Sequence, residues 1–79
     1  MPKFPVDAPL ERVLWAMGAV GFQVIRSGNH SALSRTEADG TRTPMTIPAH
    51  RNIKGSTLWT ILTQSGIARD DFLRAYDEA

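Results

Sequence analysis

Apolar residues near the N-terminus recur at the spacing of one helix face. Positions i, i+3, i+4 and i+7 are occupied by Leu10, Val13, Leu14 and Met17. Asp7 and Pro9 stand where a helix cap and a first-turn proline belong, and Gly21 is typical of a helix stop. The pattern predicts a helix over residues 8–20.

Three strand-like segments follow, separated by turn-forming residues. Phe22–Arg26 is rich in β-branched and aromatic side chains, and the Ser-Gly-Asn after it is typical of a turn. A second strand is predicted over 30–37 and a third over 41–47, joined by a two-residue hairpin turn at Asp39-Gly40. The third strand contains a proline that cannot donate a ladder hydrogen bond, so it lies at a sheet edge or is interrupted there.

The C-terminal third of the chain carries a second helical pattern. Residues 48–55 are expected to form a loop, after which Ser56 caps a helix that stops at Gly66. Its apolar positions keep helical spacing at Leu58, Ile61 and Leu62. A short final helix is predicted over 70–77. The order helix, three strands, helix and short helix predicts a single α+β domain.

The parity of the strand residues predicts which face of the sheet is buried. Leu33 is the large apolar residue of the second strand, so its face, with Met45 and Ile47, is expected to pack against the helices. His30 has the opposite parity and is expected on the open face. Arg35 shares the parity of Leu33 and is expected to leave the core at the strand end. The predicted core comprises Leu14, Leu33, Ile47, Leu58 and Leu62.

Length and composition limit the protein to one small domain. A chain of 79 residues buries only about 60% of its unfolded surface, and without cysteine it has neither a disulfide nor a thiolate ligand. No apolar run approaches the roughly 20 residues that span a bilayer. The N-terminus lacks the apolar stretch of a signal peptide, so a cytoplasmic location is expected.

The net charge is only +1, but basic residues concentrate in the middle of the chain. Between residues 26 and 54 there are five, against two acids; the five are Arg26, Arg35, Arg42, Arg51 and Lys54. The last ten residues carry four acids and one base. This distribution favours an anionic partner for the basic middle, and a solvated surface of mixed charge is the alternative.

His30 is a candidate for proton transfer, because imidazole changes charge near neutral pH. An RNA 2′-hydroxyl attacks its own phosphate once a base removes its proton, and nearby cations stabilise charge on the phosphate oxygens. No metal or cofactor is expected, since two histidines and no cysteine leave a metal site short of ligands. No nucleophile elbow or Gly-rich phosphate loop is present. The alternative interpretation is an ordinary polar surface residue in a turn.

His50 also allows two interpretations. It is either a loop residue whose ring bonds a backbone group, or a phosphate contact that acts with Arg51 and Lys54 at a helix N-terminus. We expect His30, and not His50, to carry catalysis. The predicted RNA contacts are Arg26, Asn29, Arg42, His50, Arg51 and Lys54.

Several short segments follow one another in a distinctive order over residues 10–75. They are Gly21-Phe22, Val24-Ile25-Arg26, Gly28-Asn29-His30, Ile47-Pro48-Ala49-His50, Lys54-Gly55-Ser56-Thr57-Leu58, Ile61-Leu62-Thr63-Gln64-Ser65-Gly66-Ile67 and Asp71-Phe72-Leu73. In this order and spacing the chain resembles the HicA toxins of bacterial type II toxin–antitoxin systems. These are small mRNA interferases with a fold like that of a double-stranded RNA-binding domain.

The resemblance implies an α-β-β-β-α domain with a short C-terminal helix and a metal-independent endoribonuclease activity on mRNA. His30 stands where the family has the catalytic histidine of a Gly-Ser-His turn. Asn29 replaces the usual serine, and Ser31 stands where many members have a second histidine. The resemblance also implies a HicB antitoxin that binds and masks the active surface.

Two other functions remain open from the sequence. One is a non-catalytic RNA-binding module of the same fold, which the modest charge and the altered turn favour. The other is a protein that only binds an antitoxin-like chain.

Overall fold

A computed structural model describes residues 4–78. Along the chain they form β1 (Asp7–Pro9), α1 (Leu10–Ala19), β2 (Gln23–Arg26), β3 (His30–Thr36), β4 (Arg42–Pro48), β5 (Asn52–Lys54), α2 (Gly55–Ser65) and α3 (Arg69–Glu78). The predicted α+β class is confirmed, as is the order of a helix, three antiparallel strands and two further helices. The final helix has ten residues, as many as α1, and is therefore longer than expected.

The strands β1 and β5 form an antiparallel ribbon that the sequence did not predict. Asp7 pairs with Lys54 and Pro9 with Asn52, while the central Ala8 and its partner on β5 are buried. The expected helix cap at Asp7 and first-turn proline at Pro9 are therefore wrong. The ribbon could not be predicted because each strand has only three residues, too few to show a periodic pattern. Its two strands also come from segments that are far apart in sequence.

The helices α1 and α2 both begin without a side-chain cap. The backbone N–H of Leu10 donates to the Arg51 carbonyl at 2.9 Å, and that of Gly55 donates to the Val6 carbonyl at 2.7 Å. The expected cap at Ser56 is wrong, because Lys54 holds the cap position and α2 starts at Gly55. A carbonyl from the segment before the other helix thus satisfies the first donor of each helix, which a capping side chain would otherwise take.

The strands β2, β3 and β4 form an antiparallel sheet in that spatial order. Leu33 opposes Met45 and Ser31 opposes Ile47, and all four side chains are buried on the helix-facing side. His30, Arg42 and Thr46 have the other parity and are exposed. The predicted orientation of the sheet is confirmed, because the structure buries the face that carries the large apolar residues.

The third predicted strand corresponds to β4, and the edge position predicted for it is also confirmed. Backbone hydrogen bonds from Glu37 to Thr41 and from Ala49 to Asn29 mark bonded pairs at the two ends of the β3–β4 ladder. Bonded and non-bonded pairs alternate along an antiparallel ladder, so Pro44 and Pro48 both occupy non-bonded positions. The missing proline donors would have pointed away from β3, and the ladder loses no hydrogen bond.

The loop of the β3–β4 hairpin has three residues between the bonded pair of Glu37 and Thr41, whereas a two-residue loop was expected. The N–H of Gly40 donates to the Glu37 carbonyl at 3.0 Å, and Gly40 has a φ of 89°. The Asp39 carboxylate accepts hydrogen bonds from the Thr41 N–H and hydroxyl, which lower its pKa. A turn closed by a positive-φ glycine is the common three-residue hairpin loop.

The helices cover the apolar face of the sheet, with α1 against β2 and α2 against β4. Four predicted core residues are buried, but Leu14 is only half-buried. The buried residues of α1 are instead Val13, Ala16 and Met17. The face is rotated because α1 packs against α3 as well as the sheet, and Arg12 lies over the Tyr76 ring and donates to the Tyr76 carbonyl at 2.9 Å.

Arg35 has the parity of the buried face but lies at the edge of the core, where it is only half-buried. Its guanidinium donates to the Glu37 carboxylate at 2.9 Å and to the Ser65 carbonyl at 3.4 Å, and it lies over the Phe22 ring. The Thr43 hydroxyl and Arg35 both donate to Glu37 and lower the pKa of this carboxyl. This cluster ties the hairpin to the end of α2.

We predict opposite effects of alanine at two glycines. A Cβ at Gly55 would lie 2.8 Å from the Pro5 carbonyl oxygen, so Gly55→Ala should reduce the free energy of unfolding by about 1–3 kcal/mol. A Cβ at Gly18 meets nothing within 4 Å, so Gly18→Ala should raise it by roughly 0.5–1 kcal/mol. Thermal unfolding of both variants measures the difference. A Gly55→Ala variant as stable as wild type would contradict the close crossing of the N-terminal segment over α2.

Candidate functional site

His30 is the first residue of β3 and lies exposed on the open face of the sheet. It sits directly opposite Pro48. The Ala49 N–H donates to the Asn29 carbonyl at 3.1 Å and anchors the turn before His30 to the end of β4. The backbone is therefore fixed before His30 by this hydrogen bond and after His30 by the β3–β4 pairing, and the imidazole is exposed to solvent.

Arg26 reaches the same face through an irregularity in β2. The register shifts between Val24 and Arg26, so that Val24 pairs with Leu33 but Arg26 pairs with Ala32. In a regular ladder Arg26 would oppose the next residue, the buried Ser31, and would face the helices. The extra residue, Ile25, turns Arg26 to the open face, where it is separated from His30 by a three-residue turn.

Arg42 shares the open face but not the neighbourhood of His30. It pairs with Thr36 at the opposite end of β3. Six residue steps along a strand correspond to about 20 Å. The structure therefore separates Arg42 from the predicted catalytic residue.

A groove lies beside Pro48 at the His30 end of the sheet. Its volume is about 480 Å³, and it is lined by Pro48, His50, Asn52, Ile53, Lys54 and Thr57. Because Pro48 is also the cross-strand partner of His30, the groove continues the surface that carries His30. Asn52 and Thr57 were not predicted as site residues. Asn52 could have been found only if residues 52–54 had been recognised as a strand with buried Ile53 at its centre.

Arg51 does not line this groove. It borders a second groove of about 530 Å³, together with Pro9, Leu10, Glu11 and Asn52. The predicted phosphate-binding trio of His50, Arg51 and Lys54 is therefore divided between two grooves. Its members are neighbours in sequence, but the β1–β5 ribbon directs them differently.

Ser31 is buried and faces the helices, so it does not line the surface around His30. Asn29 and His30, in contrast, are exposed. The two carboxyls whose pKa values are lowered, Glu37 and Asp39, belong to the hairpin loop at the far end of the sheet. Arg26 and Arg42, which the register places on the open face with His30, are both basic.

The described part of the chain also limits other kinds of site. Between residues 4 and 78, no three metal-ligating side chains are grouped so that they could hold an ion. No helix in the same range is long and apolar enough to cross a bilayer.

The register that places His30 can be tested with paired cysteines, because the chain contains none. Ala32 opposes Thr46 in a non-bonded pair, where Cα atoms lie about 4.5 Å apart. The A32C/T46C variant should form a disulfide under mild oxidation, as detected by mass spectrometry. The control A32C/P44C joins diagonal positions about 7–8 Å apart and should cross-link poorly. Preferential cross-linking of the control pair would contradict the register.

Comparison with known proteins returned no relative for this chain. It matches no protein-family model, no curated protein and no solved structure.

Proposed function

We propose that this protein is a HicA-like toxin, a metal-independent endoribonuclease that cleaves mRNA with His30 as general base. The observation that carries the proposal is the exposed imidazole at the start of β3, on the open face of the sheet. The sequence resemblance adds the Gly28-Asn29-His30 turn and the element order that the family implies. Such an enzyme acts on mRNA in the cytoplasm.

The chemistry requires a base close to an RNA phosphate. Neutral His30 takes the proton of a 2′-hydroxyl, whose oxygen then attacks the adjacent phosphorus. Arg26, just before the short turn, supplies positive charge for the oxygens of the reacting phosphate, and Lys54, in the groove beside Pro48, supplies it for the neighbouring phosphate. Asn29 contributes amide and backbone groups that can hydrogen-bond the RNA next to the reacting ribose.

A HicB-like antitoxin is the proposed protein partner. Apolar surface beside the site supports a protein contact, since Ile25, the extra residue next to Arg26, is 62% exposed. It lies on β2, whose outer edge is not paired with another strand among residues 4–78. A partner bound there would cover apolar surface next to His30.

A non-catalytic RNA-binding module is the second candidate. The observation that favours it is the spread of Arg26 and Arg42 along the open face, with Arg42 about 20 Å from His30. Cations at both ends of a face can follow several phosphates of an RNA backbone. Binding without cleavage would identify this second function.

We predict that His30→Ala lowers the rate of RNA cleavage by about 10²- to 10⁴-fold and abolishes growth inhibition. Because His30 is exposed, the free energy of unfolding should change by no more than about 0.5 kcal/mol. RNA binding should be largely retained, since the cations remain. The measurements are cleavage of one RNA substrate, RNA affinity and thermal unfolding.

Thr36→Ala is the matched control, because Thr36 is exposed on the same face of the same strand but at its far end. It should cleave RNA at the wild-type rate. A folded His30→Ala variant that also cleaves at the wild-type rate would refute the catalytic role. If wild type binds RNA and never cleaves it, the second candidate replaces the first.

We predict that replacing Arg51 and Lys54 together with alanine weakens RNA binding. The slope of log affinity against log salt is negative, and each lost phosphate contact should make it less steep by about 0.7–0.9. The control replaces Arg69 and Arg74 of α3, which lie among acidic residues in sequence and should leave the slope unchanged. A wild-type slope in the first variant would place the RNA surface elsewhere, and absence of RNA binding by wild type would favour the protein-binding function.

A further inference from the structure

The two histidines of the chain lie on either side of Pro48. His30 is its direct cross-strand partner, and His50 follows it by two residues. The Ala49–Asn29 hydrogen bond continues the antiparallel pairing one step beyond the end of β4. This pairing makes His50 the diagonal neighbour of His30, and in a regular ladder such residues have Cα atoms about 7–8 Å apart.

Pro48 relates the two histidines in space, since it lies opposite His30 and lines one groove with His50. Residues two apart in an extended chain project to the same side, and Pro48 and His50 line the same groove. Pro48 in turn has the parity of His30 on the open face. Both histidines are exposed, so an RNA strand lying over Pro48 would meet one imidazole on each side.

This spacing fits the two proton transfers of RNA transesterification. One proton leaves the attacking 2′-oxygen and another must reach the departing 5′-oxygen, and these two oxygens lie on opposite sides of the phosphorus. A single imidazole serves one of them well. Two imidazoles on one surface, with side chains that extend over a phosphate between them, can serve both.

We propose that His50 is the catalytic proton donor to the 5′-oxygen when His30 acts as the base. His30 takes the 2′-hydroxyl proton while the bond from the 2′-oxygen to phosphorus forms. The bond from phosphorus to the 5′-oxygen breaks as protonated His50 transfers its proton to that oxygen. The products are a 2′,3′-cyclic phosphate and a 5′-hydroxyl, with His30 protonated and His50 neutral. This role rests on the proposed function, and it replaces the expectation from the sequence that His50 contacts phosphate and takes no part in catalysis.

The groove gives the donor a defined place in the substrate complex. Pro48 and the buried Ile53 form apolar walls, while Lys54 supplies positive charge within the same groove. The nucleotide that leaves with the 5′-oxygen would occupy this groove, with Lys54 near its own 3′-phosphate. His50 would then lie between the groove and the phosphate that is cut.

A substrate with sulfur in place of the 5′-bridging oxygen tests the donor role directly. A thiol loses its proton near pH 8.5, so a thiolate departs without needing an acid. His50→Ala should cleave ordinary RNA about 10²- to 10⁴-fold more slowly than wild type but cleave the sulfur substrate within about tenfold of wild type. His30→Ala should remain slow on both substrates, because the attacking hydroxyl still needs a base.

Lys54→Ala is the matched control, because it removes a cation from the same groove and leaves the imidazole, which changes charge near neutral pH, in place. It should weaken cleavage of both substrates by a similar factor. His50→Gln, which keeps a polar side chain, should repeat the behaviour of His50→Ala, and thermal unfolding shows that each variant is folded. If His50→Ala loses the same factor on both substrates, or loses nothing on ordinary RNA, His50 is not the donor and the role of His30 stands. If wild type cleaves neither substrate, the proposed function fails, and the role of His50 fails with it.

Discussion

One-sided burial of the β3–β4 hairpin is the constraint on which the remaining structure depends. Leu33, Met45 and Ile47 all lie against the helices, and a slip of one residue would move a whole strand's apolar side chains into solvent. The same register sets His30 opposite Pro48 on the other face. The position of the candidate catalytic group is therefore a consequence of core packing.

Irregularities at both edges of the sheet shape the polar face. The prolines of β4 occupy two of the four positions whose N–H groups would point outwards, so this edge offers only half the usual donors to another strand. On β2, one extra residue brings Arg26 out of the helix-facing side and exposes Ile25. Both features adjust the edges without disturbing the central strand, which holds the core residue Leu33 and presents His30.

The candidate site could be predicted only in part from the sequence. The parity of Leu33 was sufficient to place His30 on the open face, because strand periodicity is a local property. The proximity of Arg26, the distance of Arg42 and the separation of Arg51 from Lys54 all depend on register, a bulge and a ribbon between distant segments. Nearness in sequence says little about nearness on a surface made of several strands.

The amino-acid sequence by itself determined the order of the three helices and of the three strands of the sheet, and the buried face of the hairpin. It also determined the helix stop at Gly66, which adopts the left-handed conformation with a φ of 73°. Each follows from side-chain periodicity or from the freedom of glycine over a few residues. Only the tertiary structure decided the β1–β5 ribbon, the helix starts without caps and the partial exposure of Leu14. In these places hydrogen-bonding and packing partners come from remote segments. These partners come close together only when the chain folds, so no local sequence pattern indicates them.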